Sequence, residues 1–245
     1  MNSDDVIIKH LSDIDTRAFE REYATFSEFL NINEISLLKE QTFKSRSTLF
    51  GGYEMSERCV AGFGSDIKES DFPISCIKIE PLLSKFSDKL THRDFLGSLM
   101  QLGINRNTLG DIVVNGNTAC LFCLKSISDY IIENLTRVKH TSVKCTLINE
   151  LPAFIKKEPE DTEIITSSPR ADAVVSSVYK LSRKQAKELF SSDRIFINSK
   201  ECKKESALLK EGDIVSVRGY GKFIFDGEIR KTKKERIVIL IKIYK

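Results

Sequence analysis

AspIleValValAsnGlyAsnThrAlaCysLeuPheCysLeu, residues 111–124, reads as two strands, 111–114 and 118–124, joined by AsnGlyAsn, a tight-hairpin signal. Upstream, ThrHisArgAspPheLeuGlySerLeuMetGlnLeuGly, residues 91–103, is an amphipathic helix. Thr91 can serve as its N-cap, Asp94 as the third-position acid and Gly103 as its stop. IleSerCysIleLysIle, residues 74–79, is a strand candidate. Downstream, a helix is expected over about 126–135 and a strand over about 141–148.

Strand, helix, two-strand hairpin, helix, strand is the split βαβ order of ferredoxin-like folds, and an α+β protein with such a middle domain over 61–151 is expected. RNA-recognition sheets of this topology display two or three aromatics on their central strands. Here the first strand offers none and the third only Phe122, so base stacking on this sheet is not expected.

Charge divides the chain. Residues 168–245 carry 19 of the 38 Lys and Arg against 10 Asp and Glu, net +9, whereas residues 1–167 are net −6. A cationic field confined to one small module points to phosphate-backbone contact, with an acidic protein surface as the alternative. No apolar run approaches the roughly 20 residues needed to span a bilayer, and the acidic, polar start is unlike a secretory signal. A cytoplasmic location is expected. Six cysteines scattered through such a chain imply reduced thiols. Cys120 and Cys123 form a CxxC inside an apolar run, which reads as core packing; no metal or cofactor is expected.

Residues 4–43 read as helical, because Val6, Phe19, Tyr23, Phe26, Phe29, Leu30, Ile35, Leu37 and Leu38 recur at three- and four-residue intervals. Asn31 or Asn33 could cap a second helix there. A helical segment over 1–60, net −4, suits packing better than RNA contact. Residues 152–168 look like a linker, with a short strand around 163–166, and a basic module over 169–245 follows.

In that module, residues 170–181 and 182–190 read as two helices, with Ser182 and Gln185 forming a capping box. Arg183 and Lys184 then occupy the first turn of the second helix, where the macrodipole is already positive, and Lys187 lies along the same face. This arrangement suits a phosphate. Residues 194–198 and 213–218 alternate like strands, and the basic run 230–236 leads into a terminal strand. Its Lys231, Lys233 and Lys234 are either a solvated tip or further phosphate contacts.

Arg170 with Asp172, SerArgLys at 182–184, IlePheIleAsn at 195–198, GlyAspIleValSerValArgGly at 212–219 and GlyLysPhe at 221–223 together resemble the small RNA-binding domain named after ribosomal small-subunit protein S-four. That family usually has glycine in the turn after the second helix, where Asp193 stands here and tolerates a left-handed conformation. The resemblance implies contact with structured RNA by Arg170, Arg183, Lys184, Lys187, Asn198, Lys200 and Arg218. Charge adds Lys203, Lys204 and Lys222.

HisArgAspPheLeuGly at 92–97, LeuGlyIle at 102–104, Arg106 and GlyAspIle at 110–112 are similar to the middle domain of bacterial YlmH-type proteins, which end in the same module. This second resemblance implies association with the large ribosomal subunit and tRNA in rescue of stalled translation; a monomer is expected. His92, Arg93 and Arg106 are secondary candidates for RNA contact. HisArgAsp also occurs in kinase catalytic loops, but the position five residues after Asp94 is Leu99 rather than asparagine. The rival readings are an RNA-modifying enzyme of the pseudouridine synthase or methyltransferase type, and a protein-interaction adaptor with a basic end. Asp94 and Asp111 could do acid–base work, but a helix cap and a strand start explain them.

Overall fold

A computed structural model describes residues 3–83, 87–155 and 159–243, in two compact units, Met1–Lys156 and Lys157–Lys245. The first contains α1 (Ser3–Arg21), β1 (Thr25–Leu30), α2 (Ile32–Glu40), β2 (Ser47–Phe50), β3 (Cys59–Phe63), β4 (Ile74–Pro81), α3 (His92–Gln101), β5 (Leu109–Asn115), β6 (Thr118–Leu124), α4 (Ser128–Asn134), β7 (Arg137–Val138) and β8 (Thr141–Ile148). The middle sheet runs β5-β6-β4-β8-β7, with every pairing antiparallel. β4, α3, the β5–β6 hairpin, α4 and β8 thus form the split βαβ order, and Gly116 takes φ +61° in the tight turn.

The helical reading of residues 1–60 is corrected. α1 forms, burying Leu11, Ile14 and Ala18, and Asn31 caps α2 in a reciprocal box with Glu34. Residues 25–30, however, form a strand in a three-stranded sheet of order β1-β3-β2. A register shift between Phe26 and Phe29 explains the misreading. The bulge puts both phenylalanines in one cluster and Leu30 in another, so the period of two is broken into spacings that mimic a helix.

This small sheet is covered on both faces. Leu30, Ala61 and Phe63 pack with α1 and α2, whereas Phe29 and Val60 pack with Cys76, Cys120 and Phe122 of the middle sheet. The far face of the middle sheet buries Ile77, Leu121 and Cys123 with Phe95 and Leu99 of α3 and Ile131 of α4. β6 is therefore buried on both sides, which is why it reads as a continuous apolar run. Cys120 and Cys123, three residues apart on a strand, point to opposite faces and cannot share a metal ion.

The second unit contains β9 (Glu160–Thr166), α5 (Ala171–Val178), α6 (Arg183–Ser191), β10 (Ile195–Ile197), β11 (Lys200–Glu201), β12 (Asp213–Val217), β13 (Gly221–Lys231) and β14 (Ile237–Ile243). Its antiparallel sheet has the order β11-β10-β12-β13-β14-β9. Val174 and Val175 of α5 and Leu189 and Phe190 of α6 pack on Ile195, Val215, Phe223, Phe225, Ile239 and Ile241. The expected linker is corrected in part: residues 160–166 pair along their whole length with 237–243 and belong to this sheet. Asp193 takes φ +53° after α6, the left-handed turn expected of it. Among the described residues, no helix is long and apolar enough to cross a membrane.

Two glycines of unit 1 are expected to respond oppositely to alanine. A Cβ at Gly110 would fall 2.6 Å from the Phe29 ring, so Gly110→Ala should destabilise by about 1–3 kcal/mol. A Cβ at Gly97, within α3, meets nothing within 4 Å, so Gly97→Ala should stabilise by about 0.5–1 kcal/mol. Urea unfolding midpoints of the two variants against the parent check both signs.

Candidate nucleic-acid interface

Where α5 and α6 meet β9, unit 2 has a cleft of about 440 Å³ lined by Thr166, Ser167, Ser168, Arg170, Asp172, Ser176, Ser177, Arg183, Lys187 and Arg236, among others. Ser182 caps α6: its Oγ accepts from the Gln185 amide at 3.2 Å, and the Gln185 side chain accepts from the Ser182 amide at 2.9 Å. The box fixes where the helix begins and so where Arg183 projects. Arg170 precedes α5 and donates twice to Asp172, at 3.0 and 2.9 Å, which holds its guanidinium at the rim and raises its pKa. Lys187 pairs with Glu205 at 3.4 Å. Among the described residues, no ion pair engages Arg183 or Arg236.

Arg236 was missed by sequence reasoning. It ends the basic run 230–236, and the pairing of Ile237 with Thr166 carries it to Ser167 beside α5. The signal was available only through the register of a strand 70 residues upstream.

The expected RNA-binding residues do not form one cluster. Arg170, Arg183 and Lys187 share the cleft, whereas Lys184 is exposed on α6 and does not line it. Asn198, Lys200, Lys203, Lys204, Arg218 and Lys222 lie on or beside β10 to β13. Asn198, exposed at φ +53°, also holds a turn: its amide donates to Asp213 at 2.8 Å and accepts from the Ile214 amide at 3.0 Å. Lys203 pairs with Glu201 at 3.1 Å, and Arg218 lies over the Phe196 ring at 5.2 Å. Lys200 and Lys204 are exposed, and Lys222 stands opposite Ser216 in the β12–β13 ladder. At the β13–β14 tip, Lys231, Lys233 and Lys234 are exposed, with Lys231 3.8 Å from Glu235.

In unit 1, Arg106 is half-buried. Its guanidinium donates inward to the Leu109 and Gly110 carbonyls at 2.6 and 3.3 Å, and burial together with the facing Arg58 cation lowers its pKa to about 10. Arg58 donates to the Leu109 and Phe29 carbonyls, both at 2.9 Å. Asp111 accepts from the Tyr53 hydroxyl at 2.9 Å and from the Glu57 and Arg58 amides at 2.6 and 3.1 Å. Burial, then the Asp111 carboxylate, push the Tyr53 phenol far above its ordinary range. Desolvation and the Arg106 cation push His92 below its usual value, and Arg93 is exposed on α3. Asp94 accepts from the Thr91 amide and hydroxyl at 2.8 and 2.7 Å and pairs with Lys139 at 3.1 Å, which hold it below the usual carboxylate range.

Residues 68–151 match the family described as a putative RNA-binding domain in YlmH. This segment is thus similar to the domain of YlmH-type proteins. The match spans β4 to β8 and so encloses the whole split βαβ unit. Over 222 residues the chain is 29% identical to the ribosome-associated protein quality control protein P2 of Bacillus subtilis, covering 86% of this chain and 83% of that protein. It is also similar in fold to the cell division protein YlmH of Streptococcus pneumoniae, with a TM-score of 0.51 and 23% identity over 60% of this chain and 92% of that one. In this middle domain, the sheet face that could stack bases is closed. Phe122 is 1% exposed and lies 4.9 Å from the Tyr53 ring at an interplanar angle of 24°.

Asp111→Ala leaves the Tyr53 hydroxyl and two amides without their acceptor. It is expected to destabilise unit 1 by about 2–3 kcal/mol, read by thermal unfolding, whereas Arg93→Ala should stay within about 0.5 kcal/mol of the parent.

Proposed function

We propose that this chain is a non-enzymatic RNA-binding protein whose C-terminal unit is an S-four-like module gripping structured RNA. The observation that carries the reading is the cleft in which Arg170, Arg183, Lys187 and Arg236 converge at the start of a capped helix, within the segment of net charge +9. Cations there displace counterions from an RNA backbone, and the amino end of α6 with its Arg183 side chain orients one phosphate. The ion pairs of Arg170 and Lys187 do not oppose this, because exposed pairs are weak and exchange readily for phosphate. The match of residues 68–151 to a family described as a putative RNA-binding domain supports the same ligand class.

The finer reading is rRNA and/or tRNA as the bound RNA and association with the large ribosomal subunit, with a role in cytoplasmic translation or rescue of stalled ribosomes. It is supported by the likeness to a ribosome-associated quality control protein across most of both chains. A non-enzymatic role is supported by the two carboxylates best placed by sequence for acid–base chemistry. Asp94 is engaged at a helix start and Asp111 between two sheets.

Sucrose-gradient sedimentation of cell extract, at low and high salt and with or without RNase, tests the proposal. The protein is expected to travel with the large subunit at low salt and to leave it at high salt or after RNase. The folded Arg183→Glu/Lys184→Glu variant, and Arg236→Glu, should remain near the top. Sedimentation of the parent at the top in every condition would remove the ribosomal role, and unchanged migration of the folded variants would remove the cleft.

A further inference from the structure

The β12–β13 hairpin turns through Arg218, Gly219, Tyr220 and Gly221, with Gly219 at φ +84° and Gly221 at φ +110°. At its tip Tyr220 is 43% exposed, yet its side chain does not hang free. The Tyr179 ring lies 5.4 Å from it, tilted by 54°, and Tyr179 rests in turn on buried Phe223 at 6.1 Å. The Arg194 guanidinium stands 5.9 Å from the Tyr220 ring centre.

Arg194 is itself fixed. It donates from Nη2 to the Arg218 carbonyl, and its own carbonyl accepts from the Arg218 amide at 2.9 Å. A Cβ at position 219 would fall 2.5 Å from that Nη2, so the glycine both permits the left-handed turn and leaves room for the guanidinium. Single exposed tyrosines are ordinary on protein surfaces. A tyrosine braced by a second ring, with one guanidinium against it and the Arg218 cation in the same turn, is a more specific arrangement.

We propose that Tyr220 is a stacking platform for an unpaired nucleobase, with Arg194 and Arg218 meeting the flanking phosphates; this rests on the RNA-binding reading above. Stacking requires a flat, rigid face that is partly open to solvent, and the cations beside it suit the nucleotide's own charge. An acidic peptide would satisfy the cations but leave the ring face unused, so RNA is the favoured partner. Stacking tolerates any base, so the platform selects unpaired RNA by shape while the α5–α6 cleft holds backbone.

The chain contains no tryptophan, so Tyr220→Trp places a single indole reporter at the tip. The full-length variant is titrated with a stem-loop RNA, the same stem-loop with an abasic loop, and a fully paired duplex. Indole fluorescence is expected to fall with the first and to hold with the other two. Tyr220→Ala should weaken binding of the stem-loop roughly tenfold and leave duplex binding unchanged, while Tyr220→Phe keeps parental affinity for both. Equal quenching by all three RNAs, unchanged stem-loop affinity of Tyr220→Ala, or its equal loss for duplex and stem-loop would overturn the platform. Quenching by an acidic peptide in place of RNA would also overturn it. Failure of the parent protein to bind any RNA would instead overturn the RNA-binding reading beneath it.

Discussion

The carboxylate of Asp111, accepting from Tyr53, Glu57 and Arg58, is the clasp on which unit 1 depends. It sits at the margin where the three-stranded sheet lies against the middle sheet, and close backbone approach reinforces it. A Cβ at Gly52 would fall 2.3 Å from the Phe122 ring, and one at Gly110 would fall 2.6 Å from Phe29. Arg58 and Arg106 satisfy the carbonyls around the same seam. With the seam closed, Phe29, Val60, Cys76, Cys120 and Phe122 form one core. The middle sheet then cannot bind RNA as an open stacking surface, despite a topology shared with modules that do so. RNA contact by this middle domain would use its helices, edges or loops.

Unit 2 solves a different problem, gathering cations without a core charge. Its sheet is completed by pairing its first strand with its last, so the end of the basic run is brought to the helix pair. Arg170 and Lys187 pair with Asp172 and Glu205 at the rim of the cleft. Arg230 is clamped in the same manner across strands, with two bonds to Glu163 at 3.1 and 2.7 Å that place its charge on the sheet surface.

Much of this was legible in the sequence where local chemistry decides structure. AsnGlyAsn fixed the β5–β6 hairpin, and Ser182 with Gln185 fixed the start of α6. Asp193 declared the turn that follows it. What was not legible depends on partners distant in the chain. β1 pairs, across a bulge, with residues of β3 as far away as Phe63 opposite Thr25, and its three- and four-residue spacings therefore passed for a helix. Asn198 and Arg106 carry polar groups that suit RNA equally well, but their bonds to Asp213 and Ile214, and to the Leu109 and Gly110 carbonyls, appear only once the chain is folded. Arg236 had the right chemistry and no local sign of its position.

The most direct measurement of the central claim is hydrogen–deuterium exchange of the full chain with and without purified large-subunit rRNA, at low salt. Slowed exchange concentrated at residues 166–187 and 230–236, with β4 and β6 equally protected in both states, is the expected result. Protection gained on β4 and β6 while 166–187 and 230–236 stay unchanged would contradict the account, because the RNA would then be held by a sheet face that the Asp111 clasp closes.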